Sequence, residues 1–250
     1  MKLHYELSGP EDAPVVVLGN SLGTTTRLWD RQAPELEQRF RVLRYDHRGH
    51  GGSPASPGPY RIDDLADDVL ELLDGLGFQR VSYCGVSMGA MVGMYLAGHA
   101  PERVDRLVLC CTAATYTAAA PWLERAAAVR AAGTGSIAAA VVDRWFTPAL
   151  RERSPETVTR FEEMLASVDD ESYAGCCEAL AALDLRSVLP AIEAPTAVIA
   201  GARDEATPPE CLRAIADAVP GARLHVVEAA HLANVEAADE VSAIMREHLG

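Results

Sequence analysis

Ser87 stands between two glycines in Cys84-Gly85-Val86-Ser87-Met88-Gly89-Ala90, a G-x-S-x-G pattern. A serine hydroxyl attacks a carbonyl only when a base takes its proton. The chain has seven histidines. His4 and His248 lie near the ends, His225 falls within an apolar run, and His99 closes a helical stretch. His47 and His50 flank Arg48-Gly49 in a loop. His231, in Glu228-Ala229-Ala230-His231-Leu232, follows the last strand-like run by a few residues and is the best-placed base. Its plainer reading is a histidine at a helix start, and for Ser87 it is a serine tolerated in a tight turn.

The base in turn needs an acid to fix its tautomer. Asp105, the only acid between 104 and 117, sits at the wrong end of its strand. Asp204, in Gly201-Ala202-Arg203-Asp204-Glu205, follows an apolar run at its carboxyl end, where catalytic groups of parallel sheets gather. Glu205 is its neighbour and rival, and a solvated loop acid is the bland alternative. A developing oxyanion needs two donors. The N–H of Met88, at a helix start, is one candidate. The N–H of Leu22, in Gly19-Asn20-Ser21-Leu22-Gly23, is the other. The Ser21 hydroxyl could point the same way, unless this segment only turns the chain.

These groups converge only if the elements between them alternate. Val15 to Leu18, Arg41 to Tyr45, Val81 to Cys84, Val104 to Cys110, Thr196 to Ala200 and Arg223 to Val227 read as buried strands. Ile62, Leu65, Val69, Leu72, Leu73 and Leu76 form one helical face, ended by Gly77. Met88 to His99, Pro208 to Val219 and Val235 to Leu249 are further helices. The alternation implies an α/β fold with a mostly parallel central sheet and helices on both faces. It breaks between about Thr115 and Pro190, where the chain is rich in Ala, Arg and Glu. The expected organisation is therefore a core of residues 1–114 and 191–250 with an all-helical cap inserted at 115–190. The order Ser87, Asp204, His231 is that of an α/β-hydrolase.

Composition narrows the partners. The 250 residues carry 36 acidic against 22 basic side chains, a net charge of −14. Such a field repels phosphate backbones, so nucleic acid is not an expected partner. It also repels small anions, so an anionic substrate needs a local cation. No apolar run of about 18 residues predicts a membrane span, and the first residues lack a signal-peptide pattern. The six cysteines include two adjacent pairs but no C-x-x-C spacing, which points to reduced thiols in a cytoplasmic protein. No metal-ligand spacing is visible and no cofactor is expected. The expected form is a monomer or small homo-oligomer.

With these residues in view, the chain resembles the α/β-hydrolase superfamily, and within it the 3-oxoadipate enol-lactonases. The resemblance rests on Gly19-Asn20-Ser21-Leu22-Gly23-Thr24, Tyr45-Asp46-His47-Arg48-Gly49-His50-Gly51, the Ser87 segment, His99-Ala100-Pro101-Glu102-Arg103, Arg144-Trp145-Phe146-Thr147-Pro148 and His231-Leu232-Ala233-Asn234. Many relatives carry His-Gly where this chain has Asn20-Ser21. Val86 and Ala90 replace the Leu and second Gly often found around the serine, and Ala90 bears on pocket shape.

The resemblance implies a small-molecule substrate: a five-membered enol lactone with an acetate arm, opened by a triad without cofactor or metal. Trp145 is expected to line the pocket, and Arg144 or Arg27 to hold the substrate carboxylate. The same triad would also suit a carbon–carbon bond hydrolase of ring-cleavage products or a general carboxylesterase. A receptor or non-hydrolytic lyase on this fold is the reading from a different class.

Overall fold

The computed structural model describes residues 1–250. Seven strands form one sheet: β1 (Tyr5–Ser8), β2 (Val15–Gly19), β3 (Arg41–Tyr45), β4 (Val81–Val86), β5 (Val104–Cys110), β6 (Thr196–Gly201) and β7 (Arg223–Val227). Their spatial order is β1-β3-β2-β4-β5-β6-β7. Every pairing is parallel except β1 with β3. All residues of β4 and β6 are buried. Successive side chains point to opposite faces of a strand, so both faces of the sheet are covered there.

Eleven helices accompany the sheet: α1 (Ala33–Leu36), α2 (Ile62–Leu76), α3 (Met88–His99), α4 (Ala120–Ala132), α5 (Ala138–Val142), α6 (Pro148–Arg153), α7 (Pro155–Ala166), α8 (Asp170–Ala181), α9 (Pro209–Ala218), α10 (Ala233–Glu236) and α11 (Ala238–Leu249). The apolar face read for α2 is the buried one. Helix α3 packs on β2, β4 and β5, α9 on β6 and β7, and α11 on β5 and β6. No helix is long and apolar enough to cross a membrane.

Two details differ from the sequence reading. Strand β1 adds an antiparallel edge that its pattern did not announce. The expected helix from Val235 is two pieces, α10 and α11, broken at Ala237 (φ −111°, ψ 46°). Between β5 and β6 run α4 to α8. The two ends of this helical segment meet at its base, where Thr115 bridges Asp184 and the Leu185 N–H donates to the Ala114 carbonyl at 2.7 Å.

Strand register brings the site together. Gly19 pairs with Gly85, Val86 with Cys110, Cys110 with Ile199, and Gly201 with Val227. The carboxyl ends of β2, β4, β6 and β7 therefore open at one edge. The segments carrying Ser21-Leu22, Ser87, Asp204 and His231 leave from those ends, the crevice such sheets use for ligands.

Candidate active site

Ser87 sits on the turn from β4 into α3 with φ 53° and ψ −116°, a conformation that residues with a Cβ rarely adopt. The turn is held from three sides. The Ser87 N–H donates to the Cys110 carbonyl at 2.9 Å, and the Thr112 hydroxyl and the Met91 N–H donate to the Ser87 carbonyl at 2.9 and 3.0 Å. The flanking glycines are steric necessities. A Cβ on Gly85 would lie 2.4 Å from the Ala90 nitrogen, and one on Gly89 would lie 2.4 Å from the Gly19 carbonyl. Ala90 itself is fully buried and does not border the site cavity.

Asp204 and His231 meet as the sequence led us to expect. His231 Nδ1 lies 2.8 Å from Asp204 Oδ2. Asp204 Oδ1 also accepts the N–H groups of Ala206 (2.8 Å) and Thr207 (3.0 Å), and Oδ2 accepts the Thr207 hydroxyl at 2.7 Å. Burial raises the Asp204 pKa, but the adjoining His231 and the Thr207 donors outweigh it and hold the carboxyl below its usual value. An ionised Asp204 accepts a hydrogen bond from Nδ1–H, which keeps the imidazole proton on Nδ1 and leaves Nε2 as the basic nitrogen. Ser87 and His231 border one cavity of about 250 Å³ without hydrogen-bonding each other, a contact that often tightens only with substrate. Glu205, the rival acid, borders the cavity rather than the histidine ring nitrogen.

Leu22 and Ser21 border the same cavity. Met88 begins α3, so its N–H has no acceptor within the helix. The loop bearing Leu22 is anchored from behind by the segment after β3. The Asn20 carbonyl accepts the Gly89 N–H at 2.9 Å and lies 3.0 Å from His47 Nε2. The Gly23 N–H donates to His50 Nε2 at 3.1 Å, and His50 Nδ1 lies 2.8 Å from the Arg48 carbonyl. His50 can accept from Gly23 only as the neutral imidazole.

Burial pushes His47 down to about 3, with the His50 charge adding to it. Burial likewise lowers His50 against the Arg48 carbonyl and the charges of Asp46 and Asp169. Between the unfolded value of about 6.5 and the folded value, the unfolded chain binds the extra proton. Each histidine therefore removes stability as pH falls below about 6.5, His47 by up to about 1.4 kcal/mol per unit on the way to its folded value. Urea melts between pH 7.5 and 5 should show the midpoint dropping below about pH 6.5, and a midpoint constant over that span would contradict it.

The opposite wall of the cavity comes from the helical segment. Trp145 borders it, 5 % exposed and edge-on to Phe161 at 6.2 Å. Arg144 borders it with no carboxylate partner, and burial together with the Arg125 charge lowers its pKa. Arg27 does not reach the site. It lies on a short turn, Thr26–Trp29, whose Leu28 and Trp29 enter the core, so its own side chain is turned out. It is 63 % exposed, 3.8 Å from Asp30, and borders a separate cavity with Arg160 and Glu163.

The second cation at the site is Arg125, from α4, stacked 4.6 Å over the Trp122 ring and also without a carboxylate partner. The sequence signal was only a Trp and an Arg three apart on an Ala-rich helix. Tyr173, from α8, is buried close to Arg125 with no protein acceptor for its hydroxyl proton, and burial raises its pKa so that it stays a donor.

A sharp strand-to-helix turn at Ser87, a buried acid–imidazole pair and an all-helical excursion after β5 define a known architecture, and the chain belongs to the α/β-hydrolase fold family, whose pattern matches residues 14–238. Its relatives put it among the hydrolases of that fold. It is 42% identical over 94% of its length to 3-oxoadipate enol-lactonase 2 of Acinetobacter baylyi, covering 88% of that protein. The crystal structure of the enol-lactonase from Burkholderia xenovorans LB400 superposes with a TM-score of 0.97 at 42% identity, covering 99% of this chain and 96% of that one. A thermophilic esterase from Thermogutta terrifontis, solved with malate bound, reaches 0.93 at 30% identity over 99% and 92% of the two chains.

Proposed function

We propose that this protein opens 3-oxoadipate enol-lactone to 3-oxoadipate in the β-ketoadipate route of aromatic degradation, as a cytoplasmic serine hydrolase with segment 115–190 as its cap. The observation that carries this reading is the pairing of two halves of one cavity. One half holds Ser87 and His231, with Asp204 behind the imidazole. The other presents Arg125 and Arg144, neither paired with a carboxylate, and the Tyr173 hydroxyl, whose proton finds no protein acceptor. In a chain of net charge −14, two unneutralised guanidiniums and a buried free hydroxyl call for an anionic ligand. A lactone bearing a carboxylate arm supplies the anion at one end and the ester carbonyl at the other.

In the proposed mechanism, Ser87 Oγ attacks the ring carbonyl while His231 Nε2 takes its proton and Asp204 stabilises the imidazolium. The tetrahedral oxyanion is met by the N–H groups of Leu22 and Met88. Collapse breaks the ring carbon–oxygen bond and expels an enolate oxygen, a better leaving group than an alkoxide, which receives the proton from His231. The enol tautomerises to the ketone. A water deprotonated by His231 then attacks the acyl-serine, and collapse returns the proton to Ser87 and releases 3-oxoadipate. No step calls for a metal or organic cofactor. The cavity of about 250 Å³ lies just below the usual span of ligand pockets, roughly 300–1,000 Å³, which suits a compact lactone better than an extended aryl dienoate.

The test is incubation with synthetic 3-oxoadipate enol-lactone, following ring opening by ultraviolet absorbance, beside a lactone without the acid arm. Arg125→Ala and Arg144→Ala should each raise KM for the acid lactone about tenfold or more, the scale of a charge-assisted hydrogen bond. Neither should change the neutral lactone. Arg144 is the more solvent-exposed of the two, so its effect should be the smaller. Unchanged KM in both variants would remove the carboxylate assignment.

A further inference from the structure

The residues on either side of His231 are tied to the wall that faces the substrate. The Leu232 N–H donates to the Trp145 carbonyl at 3.1 Å. The Ala230 N–H donates to Glu236 Oε2 at 2.9 Å. That same oxygen accepts the Thr147 N–H at 3.2 Å, and the Thr147 hydroxyl donates to Oε1. One carboxylate thus gathers three donors, two from the cap segment and one from the loop of the base. It forms no salt bridge, so these donors are its satisfaction.

Glu236 is well placed to be the fixed point. It ends α10, whose Asn234 is fully buried. The Asn234 side chain donates to the Leu28 carbonyl at 3.1 Å, and its own carbonyl accepts from Gln32 at 2.8 Å. On the cap side, Thr147 caps α6 through the Leu150 N–H at 3.3 Å and lies two residues from Trp145 and three from Arg144. A carboxylate suits the junction because it has acceptor capacity on both oxygens and no donor. Glutamine in the same volume could keep both backbone donors on its oxygen only by turning its NH₂ onto the Thr147 hydroxyl, which would then lose its acceptor and the charge of its partner.

We infer that Glu236 is a positioning residue that locks the Arg144-Trp145-Phe146-Thr147 wall to the loop carrying His231, so that the substrate wall and the base keep one alignment. The inference rests on the assignment of His231 as base made above. It concerns a residue that touches neither substrate nor the reacting atoms.

The test uses the full chain with Glu236→Gln and Thr147→Val, each normalised by active-site titration so that misfolded molecules do not count. The probe is phosphonylation of Ser87 by a small neutral fluorophosphonate, which makes no use of the arginines. Glu236→Gln should slow phosphonylation per titrated site about 10- to 100-fold, the effect of an ångström-scale misplacement of a catalytic group. It should lower kcat on the lactone similarly while KM moves less than about threefold. Thr147→Val should act in the same direction by about 3- to 10-fold. The double variant should be close to Glu236→Gln alone, because both changes cut one linkage.

Rates per site within twofold of wild type in both single variants would overturn the role, as would effects that multiply in the double. If one variant does not fold, the other still decides. A wild-type chain inert to the phosphonate would overturn the triad and this role together. Wild-type phosphonylation without lactone opening would overturn the substrate alone.

Discussion

Ser87→Ala should lower kcat by about four to six orders of magnitude, the range seen when a triad nucleophile is removed. The folded state should hardly notice. The Ser87 hydroxyl makes no hydrogen bond, and the turn is held through the backbone N–H and carbonyl of residue 87. Alanine keeps the Cβ that the turn already accommodates. Tm within a few degrees of wild type, with turnover lost, is the expected pair of results. A variant retaining more than a tenth of wild-type turnover would reject Ser87 as the nucleophile.

Asp204→Asn should cost about 10⁴-fold in kcat, by analogy with the same change in the serine protease triad. The reason lies in which atoms ask for acceptors. Asp204 Oδ1 can be replaced by the amide oxygen, which would still accept from Ala206 and Thr207. Oδ2, which faces both His231 Nδ1 and the Thr207 hydroxyl, would become an NH₂ group. The imidazole would then carry its proton on Nε2, the wrong nitrogen for taking the serine proton. In the wild type the carboxyl is held below its usual value. Its contribution to folding is present above about pH 4 and is lost as pH falls through the depressed folded value. The wild-type pH–rate profile at neutral and mildly acidic pH should therefore carry no Asp204 titration. An Asn variant with kcat within a hundredfold of wild type would reject this role.

Much of this frame was legible because its signals are local. Buried parallel strands are near-continuous apolar runs, and β2, β6 and the second half of β5 show them plainly. The turn at Ser87 announces itself by the two glycines that close packing demands. Strand β1 escaped because Tyr5-Glu6-Leu7-Ser8 is a short, part-exposed edge whose pairing comes from β3. The break at Ala237 escaped because both halves continue one apolar pattern. The cavity wall formed by the helical segment was the hardest to read. Arg27, Arg125 and Arg144 are equally plausible as letters. Only the packing of Leu28 and Trp29 into the core turns Arg27 away, and only the folding of α4 and α8 over the sheet edge brings Arg125 beside Tyr173. Glu236 was equally silent, since its partners lie six and 89 positions away.

The backbone at residue 87 has a consequence for engineering. Holding a residue with a Cβ at φ 53° sets aside on the order of 1–3 kcal/mol of folding free energy, which a glycine would return along with the loss of the hydroxyl. A library sorted for heat resistance and one sorted for turnover would therefore enrich opposite residues at this position. Thermal hardening of the scaffold is better sought in the helices and edge strands, where robustness and chemistry do not compete for the same atom.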